Sequence, residues 1–238
     1  MLSLYFEINQ LLIIYKNPYL RYSMFTLKSF QEQYNIETTP ITIRGRSFQF
    51  FIPRDLEPFV NHDDIFNDFP LWAKIWEASP VLADYLAGLE PVPDKRFLEI
   101  GCGLGLVGIV ASAFGHRVVM TEYDEHALNF ARANAQNNNI SEIEITRLDW
   151  FNPQMKDLFD YIIGSEIAYR EADFKPLSNL FKTYLKPSGE IILAEGIRET
   201  SMNFMKHLSP DYNITAKRMV LRSKEKEVPI MLSKMTVK

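Results

Sequence analysis

The chain has 238 residues, enough for one α/β domain with additions or for two small domains. Its hydrophobic content of 47% suits a globular protein with a real core, and its net charge of −4 argues against a nucleic-acid partner, since phosphate neutralisation supplies most of such a partner's affinity. A single cysteine, Cys102, excludes an internal disulfide and fits a reducing compartment such as the cytoplasm, and no apolar run reaches the roughly 20 residues that would make the membrane a partner.

Residues 1–24 are rich in Leu, Ile and Tyr but show no clean period and no caps. They read either as an extra helix or as an extension ahead of a start at Met24. Residues 41–52 read as a hairpin, with Ile41, Ile43, Phe48 and Phe50 alternating around Arg44-Gly45. A polar acidic stretch beginning His62-Asp63-Asp64 leads to Pro70-Leu-Trp-Ala-Lys-Ile-Trp76. Ser79-Pro80 then reads as cap and first residue of a helix carrying Val81, Leu82, Tyr85, Leu86 and Leu89, with Gly88 near its stop.

From residue 97 strands and helices alternate. The strands are Phe97–Ile100, Arg117–Thr121, Ile143–Leu148, Tyr161–Ser165 and Glu190–Ala194; the helices are Leu106–Phe114, Asp124–Asn137 and Phe174–Leu185, the last with Asp173 as cap. Parallel neighbours need crossovers, so this order predicts a mostly parallel sheet with helices on both faces. Tyr212–Arg222 and Val228–Val237, joined by Ser223–Glu227, form an antiparallel hairpin that closes one edge. The expected fold class is therefore α/β, Rossmann-like, with seven strands.

The informative segment is Phe97-Leu-Glu-Ile-Gly-Cys-Gly-Leu-Gly-Leu-Val-Gly108. A buried strand runs into Gly101, Gly103 and Gly105, and a helix follows. Such a loop lets the backbone approach a ligand at the carboxyl ends of the strands. Two cofactor classes compete for it. Gly103-Leu-Gly-Leu-Val-Gly108 satisfies the dinucleotide pattern, but Glu99 would repel a pyrophosphate and favour a ligand with an ammonium group, such as the methionine end of S-adenosylmethionine. Glu122 ends the second strand, where a carboxylate can accept from both ribose hydroxyls. Asp149 follows the third strand and can accept from an adenine amino group, with Trp150 as an apolar wall; its alternative is a solvated loop acid.

The Glu-x-Gly-x-Gly-x-Gly loop, the acid after the second strand and the antiparallel terminal hairpin resemble the seven-β-strand S-adenosylmethionine-dependent methyltransferases over about residues 70–238. Trp76 before a helix, Leu148-Asp149-Trp150 and Ser165-Glu-Ile-Ala-Tyr169 look more narrowly like methyltransferase family 16, largely protein-lysine methyltransferases with a D/E-x-x-Y motif. The resemblance implies methionine contacts at Trp76, Glu99, Gly101 and Gly103, adenosine contacts at Glu122, Asp149 and Trp150, and acceptor chemistry at Glu166 and Tyr169. Many members carry Asp where this chain has Glu122 and Glu166, and the extra methylene carries each carboxylate outward. Residues 1–69 are then an extension and hairpin that form a candidate substrate rim, and 70–238 the methyltransferase domain.

Lysine methylation needs a neutral amine, which an aromatic pocket favours and a carboxylate orients. The plain alternative is that Glu166 is a salt-bridged rim acid and Tyr169 packs in the core. Core packing is also the default for Trp72 and Trp76, which share a face if their segment is helical. Four scattered histidines lack ligand spacing, so no metal is expected. The Asn/Asp-Pro-Pro-Tyr run of enzymes that methylate adenine or glutamine amide is absent, and Glu166 suits an ammonium better than a planar amide. The leading expectation is methylation of a lysine on a protein substrate. A small-molecule methyltransferase, a silent cofactor-binding module and a nicotinamide-dependent oxidoreductase are the alternatives, the last disfavoured by Glu99 and by the lack of a separate substrate domain.

Overall fold

The computed structural model describes residues 25–63, 69–222 and 227–238. The N-terminal extension, the tail of the acidic loop (64–68) and the tip of the C-terminal hairpin (223–226) lie outside the described residues.

In chain order, helix α1 (Leu27–Gln33) precedes a hairpin of β1 (Ile36–Ile43) and β2 (Arg46–Pro53). After 3₁₀ turns at Glu57–Phe59 and Leu71–Ala73 come α2 (Ala78–Ala87), β3 (Arg96–Ile100), α3 (Leu106–Ala113), β4 (Arg117–Glu122), α4 (Glu125–Asn137) and β5 (Glu144–Arg147). Then follow β6 (Phe159–Ser165), α5 (Phe174–Tyr184), β7 (Leu185–Gly196), α6 (Glu199–Leu208), β8 (Tyr212–Arg222) and β9 (Glu227–Val237). The main sheet has seven strands in the order β5-β4-β3-β6-β7-β9-β8. Pairing is parallel from β5 to β7 and antiparallel where β9 joins β7 and β8. Strand order reverses between β3 and β6, which opens a crevice there.

Both faces of the central strands β3, β4, β6 and β7 are covered, so these strands are apolar on both sides. Phe97, Ile163 and Ile192 pack with α2, α3 and the hairpin's Ile43, Phe48 and Phe50. Leu98, Ile162 and Ile191 face the opposite way, into α5 and α6. The hairpin turns on Arg44 and Gly45, both at positive φ (47° and 78°), a two-residue turn whose twist matches its strands.

The hairpin's outer edge is not left open. The Phe51 amide donates to Asn134 Oδ1 (2.6 Å), and Asn134 Nδ2 donates to the carbonyls of Phe51 (3.1 Å) and Leu104 (2.9 Å). One ladder step away, Asn137 and Asn138 bond Gln49 in the same manner. Spacings of three and four place these side-chain amides on one face of the α4 region, where they act as a third strand.

Several local expectations need correction. Helix α2 starts at Ala78, after a Glu77 cap that makes no side-chain cap bond; Ser79 instead pairs its hydroxyl with that of Ser165 at 3.0 Å. Asp173 makes no side-chain cap bond either, because Arg170 holds its carboxylate at 2.9 and 3.1 Å. Asp124 does cap α4, accepting from the amides of His126 and Ala127. Helices α1 and α6 were not anticipated, although Ser201, Phe204, Met205 and Leu208 form a helical stripe.

Candidate active site

A cleft of about 650 Å³ opens at the carboxyl ends of the parallel strands. That size suits a small-molecule ligand. Its floor is the turn after β3, where Gly101, Gly103 and Gly105 take φ of +62°, +51° and +87°. The Cys102 amide donates to Thr121 O on β4, and the Gly105 amide closes the turn onto Cys102 O. A Cβ on Gly101 would stand 3.2 Å from the Trp150 ring, and one on Gly103 would stand 3.3 Å from Trp72 O. Side chains there would enter the space between loop and cleft wall, so these two glycines keep a backbone cradle open.

Gly105 has a different task. Its Cβ would strike Met120 at 2.7 Å and approach Ala131 of α4, and it is not in the cleft lining. Positive φ and close packing of α3 on β4 and α4 require glycine there, not ligand contact. Glu99 also lies behind the wall. It is 2% exposed, sits against Gly108 of α3, and leaves Oε2 without a partner among the described residues. Burial pushes its carboxyl up to about 8, against the pull of the Gly108 amide. Glu99 therefore stands behind the cleft lining and not on it.

Glu122 lines the cleft at the end of β4. Its longer side chain folds across two loops. Oε2 accepts from the Gly103 amide at 3.0 Å, while Oε1 accepts from the amides of Tyr123 (2.6 Å) and Asp124 (3.4 Å). Burial raises its pKa and these amides oppose the rise. Asp149 binds the Phe151 amide with Oδ1 at 2.8 Å, beside Trp150 and the exposed Phe151.

The opposite wall is the segment before α2. It is no helix beyond the 3₁₀ turn, so Trp72 and Trp76 do not share a helical face. Trp76 Nε1 donates to Leu71 O at 2.6 Å, and Lys74 Nζ lies 4.5 Å from its ring centroid. Trp72 rests on Phe59 and Phe130, part of an aromatic cluster that includes Phe30 and Tyr34. No residue of the hairpin 36–53 lines the cleft; Phe59 and Phe69 do.

Glu166 and Tyr169 line the end of the cleft beyond β6. Glu166 has φ +54°, unusual for a non-glycine residue. Its Oε1 accepts from the Gly196 amide at 3.0 Å, and Oε2 pairs with Arg198. Burial raises the Tyr169 pKa and keeps the phenol protonated, although neighbouring Arg170 pulls the other way. One participant had no signal in the motif. Glu195, fully buried on β7, bonds the amides of Ile167 and Ala168 and also approaches Arg198.

A parallel sheet with its switch point at a glycine loop defines the nucleotide-type α/β fold shared by methyltransferases. Ribosomal protein L11 methylase from Lactobacillus delbrueckii subsp. bulgaricus has this fold, with a TM-score of 0.55 at 17% identity over 69% of this chain and 81% of that one. The family profile described as lysine methyltransferase matches residues 66–211, and the chain belongs to that family, methyltransferase family 16, whose members are S-adenosylmethionine-dependent methyltransferases. Protein N-lysine methyltransferase METTL21A from Xenopus tropicalis is 31% identical over 151 residues, 59% of this chain and 69% of that protein. Histone-arginine methyltransferase METTL23 from Mus musculus is 32% identical over 111 residues, 43% of this chain and 44% of that protein.

Proposed function

We propose that the cleft binds S-adenosylmethionine and that its Glu166–Tyr169 end receives a lysine side chain of a cytoplasmic protein. The carrying observation is one continuous cleft lined by the glycine cradle, by Glu122 and Asp149 from the β4 and β5 side and by Glu166 and Tyr169 from the β6 side. The cradle that a Cβ would fill at Gly101 and Gly103 fits the cofactor's approach to backbone. Glu122, Asp149 and Trp150 would hold the adenosine part, and Gly101, Gly103 and Trp76 the methionine part. When bound, the cofactor supplies an electrophilic methyl group on a sulfonium sulfur.

The chain's own residues then have two tasks. A lysine amine with an ordinary pKa of about 10.4 has to reach the site neutral. Burial beside Tyr169 disfavours the ammonium, while the Glu166 carboxylate, itself held by the Gly196 amide and Arg198, orients the nitrogen. Tyr169 Oη, held as a phenol, offers a second hydrogen-bond position. The family description and METTL21A support lysine as acceptor. The rim role falls to Phe59 and the Phe69–Trp76 segment, since the hairpin packs behind the cleft.

The test combines calorimetry with S-adenosylhomocysteine and transfer of labelled methyl from S-adenosylmethionine into lysate protein. Glu166→Ala should lower transfer at least about tenfold and leave cofactor affinity within about threefold. Label on arginine, histidine or glutamine, or in metabolites without protein, overturns the lysine assignment. Unaltered transfer by Glu166→Ala makes Glu166 a rim acid.

A further inference from the structure

We propose that Glu195 is a positioning residue for the acceptor end of the cleft, its buried carboxyl holding the Glu166–Tyr169 turn through the amides of Ile167 and Ala168. This rests on the reading of Glu166 and Tyr169 given above. Glu195 Oε1 accepts from the Ile167 amide at 3.0 Å and from the Ala168 amide at 3.3 Å. These are the two residues between Glu166 and Tyr169, and neither amide has another partner among the described residues. The turn needs a clamp because Glu166 holds a left-handed backbone that L side chains disfavour.

The end of strand β7 and the residues just after it supply that clamp over a short stretch. Ala194 O accepts from the Glu166 amide at 3.0 Å, the Gly196 amide donates to Glu166 Oε1, and Arg198 pairs with Glu166 Oε2. Glu195 completes the set from inside the core, at 0% exposure. A carboxyl is costly to bury unless its oxygens are bonded. Here one oxygen takes both amides, and the other lies 3.5 Å from Arg198. Reach is therefore the property that matters, and charge is secondary.

Two variants separate reach from charge. Glu195→Gln keeps an acceptor oxygen at the same distance and removes the charge. Glu195→Asp keeps the charge and withdraws the oxygen by one methylene. Three readouts apply to each: hydrogen exchange at the Ile167 and Ala168 amides, affinity for S-adenosylhomocysteine, and initial methyl transfer to lysate protein per binding-competent enzyme. Glu195→Asp should speed exchange at both amides and lower transfer at least about tenfold, with affinity within about threefold, whereas Glu195→Gln should keep protection and stay within about threefold in transfer. In a Glu166→Ala, Tyr169→Phe background, Glu195→Asp should add little, since a residue acting through others is non-additive with them.

Transfer unchanged in Glu195→Asp overturns the inference, as does loss in Glu195→Gln with protected amides, or a fall in transfer that merely follows cofactor affinity. If Glu166→Ala and Tyr169→Phe themselves keep full transfer, the reading of the site fails and carries the inference with it. If those two lose transfer while Glu195→Asp does not, the inference alone fails.

Discussion

Asn134→Ala removes one side chain and strands three backbone groups: the Phe51 amide and the carbonyls of Phe51 and Leu104. Asn134 is 0% exposed, so water does not replace it without local opening. An unsatisfied buried group costs about 1–3 kcal/mol, and partial relaxation of a two-stranded hairpin sets the sum near 3 kcal/mol. For a chain of this size that is a fall in Tm of about 6–12 °C. The effect should reach the cleft, because Leu104 lines it and the freed carbonyl loosens the glycine turn. All three tryptophans, Trp72, Trp76 and Trp150, line the cleft, so their fluorescence follows both urea unfolding and S-adenosylhomocysteine binding. Asn134→Asp is the control. It keeps an acceptor for the Phe51 amide but turns a carboxylate oxygen toward two carbonyls, and should lose at least as much. A loss under about 1 kcal/mol in Asn134→Ala, or wild-type stability in Asn134→Asp, would refute the view that this amide completes the hairpin edge.

Two further predictions concern the glycine turn and the acid behind it. Gly103→Val forces a β-branched residue into φ +51°, at a strain of about 1–2 kcal/mol, and presses on Trp72 O; calorimetry should show S-adenosylhomocysteine affinity reduced at least about tenfold, and wild-type affinity would mean the cradle is not the binding floor. Burial pushes Glu99 and Glu195 up to about 8 from an ordinary 4.5, so the folded protein keeps protons that the unfolded chain has released. Stability of the ligand-free protein should therefore fall as pH rises from about 4.5 to about 8 and change little beyond from this source. In Glu99→Gln that slope should flatten and the Tm at pH 8 should rise; a slope identical to wild type shows that Glu99 is ionised in the fold.

The alternation of strands and helices, the hairpin at Arg44-Gly45 and the glycine turn were legible because each rests on local chemistry: side-chain period, positive φ and crossover connection. Helix α6 carried a readable stripe as well. Caps were less legible. Ser79 and Asp173 have the right residue types, yet Ser165 and Arg170 compete for their side chains. Residue type did not announce the asparagine edge of α4 either, since Asn134, Asn137 and Asn138 look like a polar helix end until the hairpin lies against them.

The carboxylates show the division most clearly. Glu99, Glu122, Glu166 and Glu195 all lie near the carboxyl ends of strands, and sequence alone places them there. It does not say which way each one turns. Strand parity sends Glu99 under α3 with Phe97, and Glu195 into the core beneath the 166–169 turn. Glu122 bends back onto the Gly103 amide, and Glu166 is drawn onto β7 by Gly196 and Arg198. The sequence by itself determined the fold class, the glycine floor and the strand ends that surround it, because periodicity and turn chemistry act within a few residues. Only the tertiary structure decided which acids face the cleft and which are buried behind it, because a carboxyl's direction and protonation depend on amides and cations contributed by segments far away in the chain.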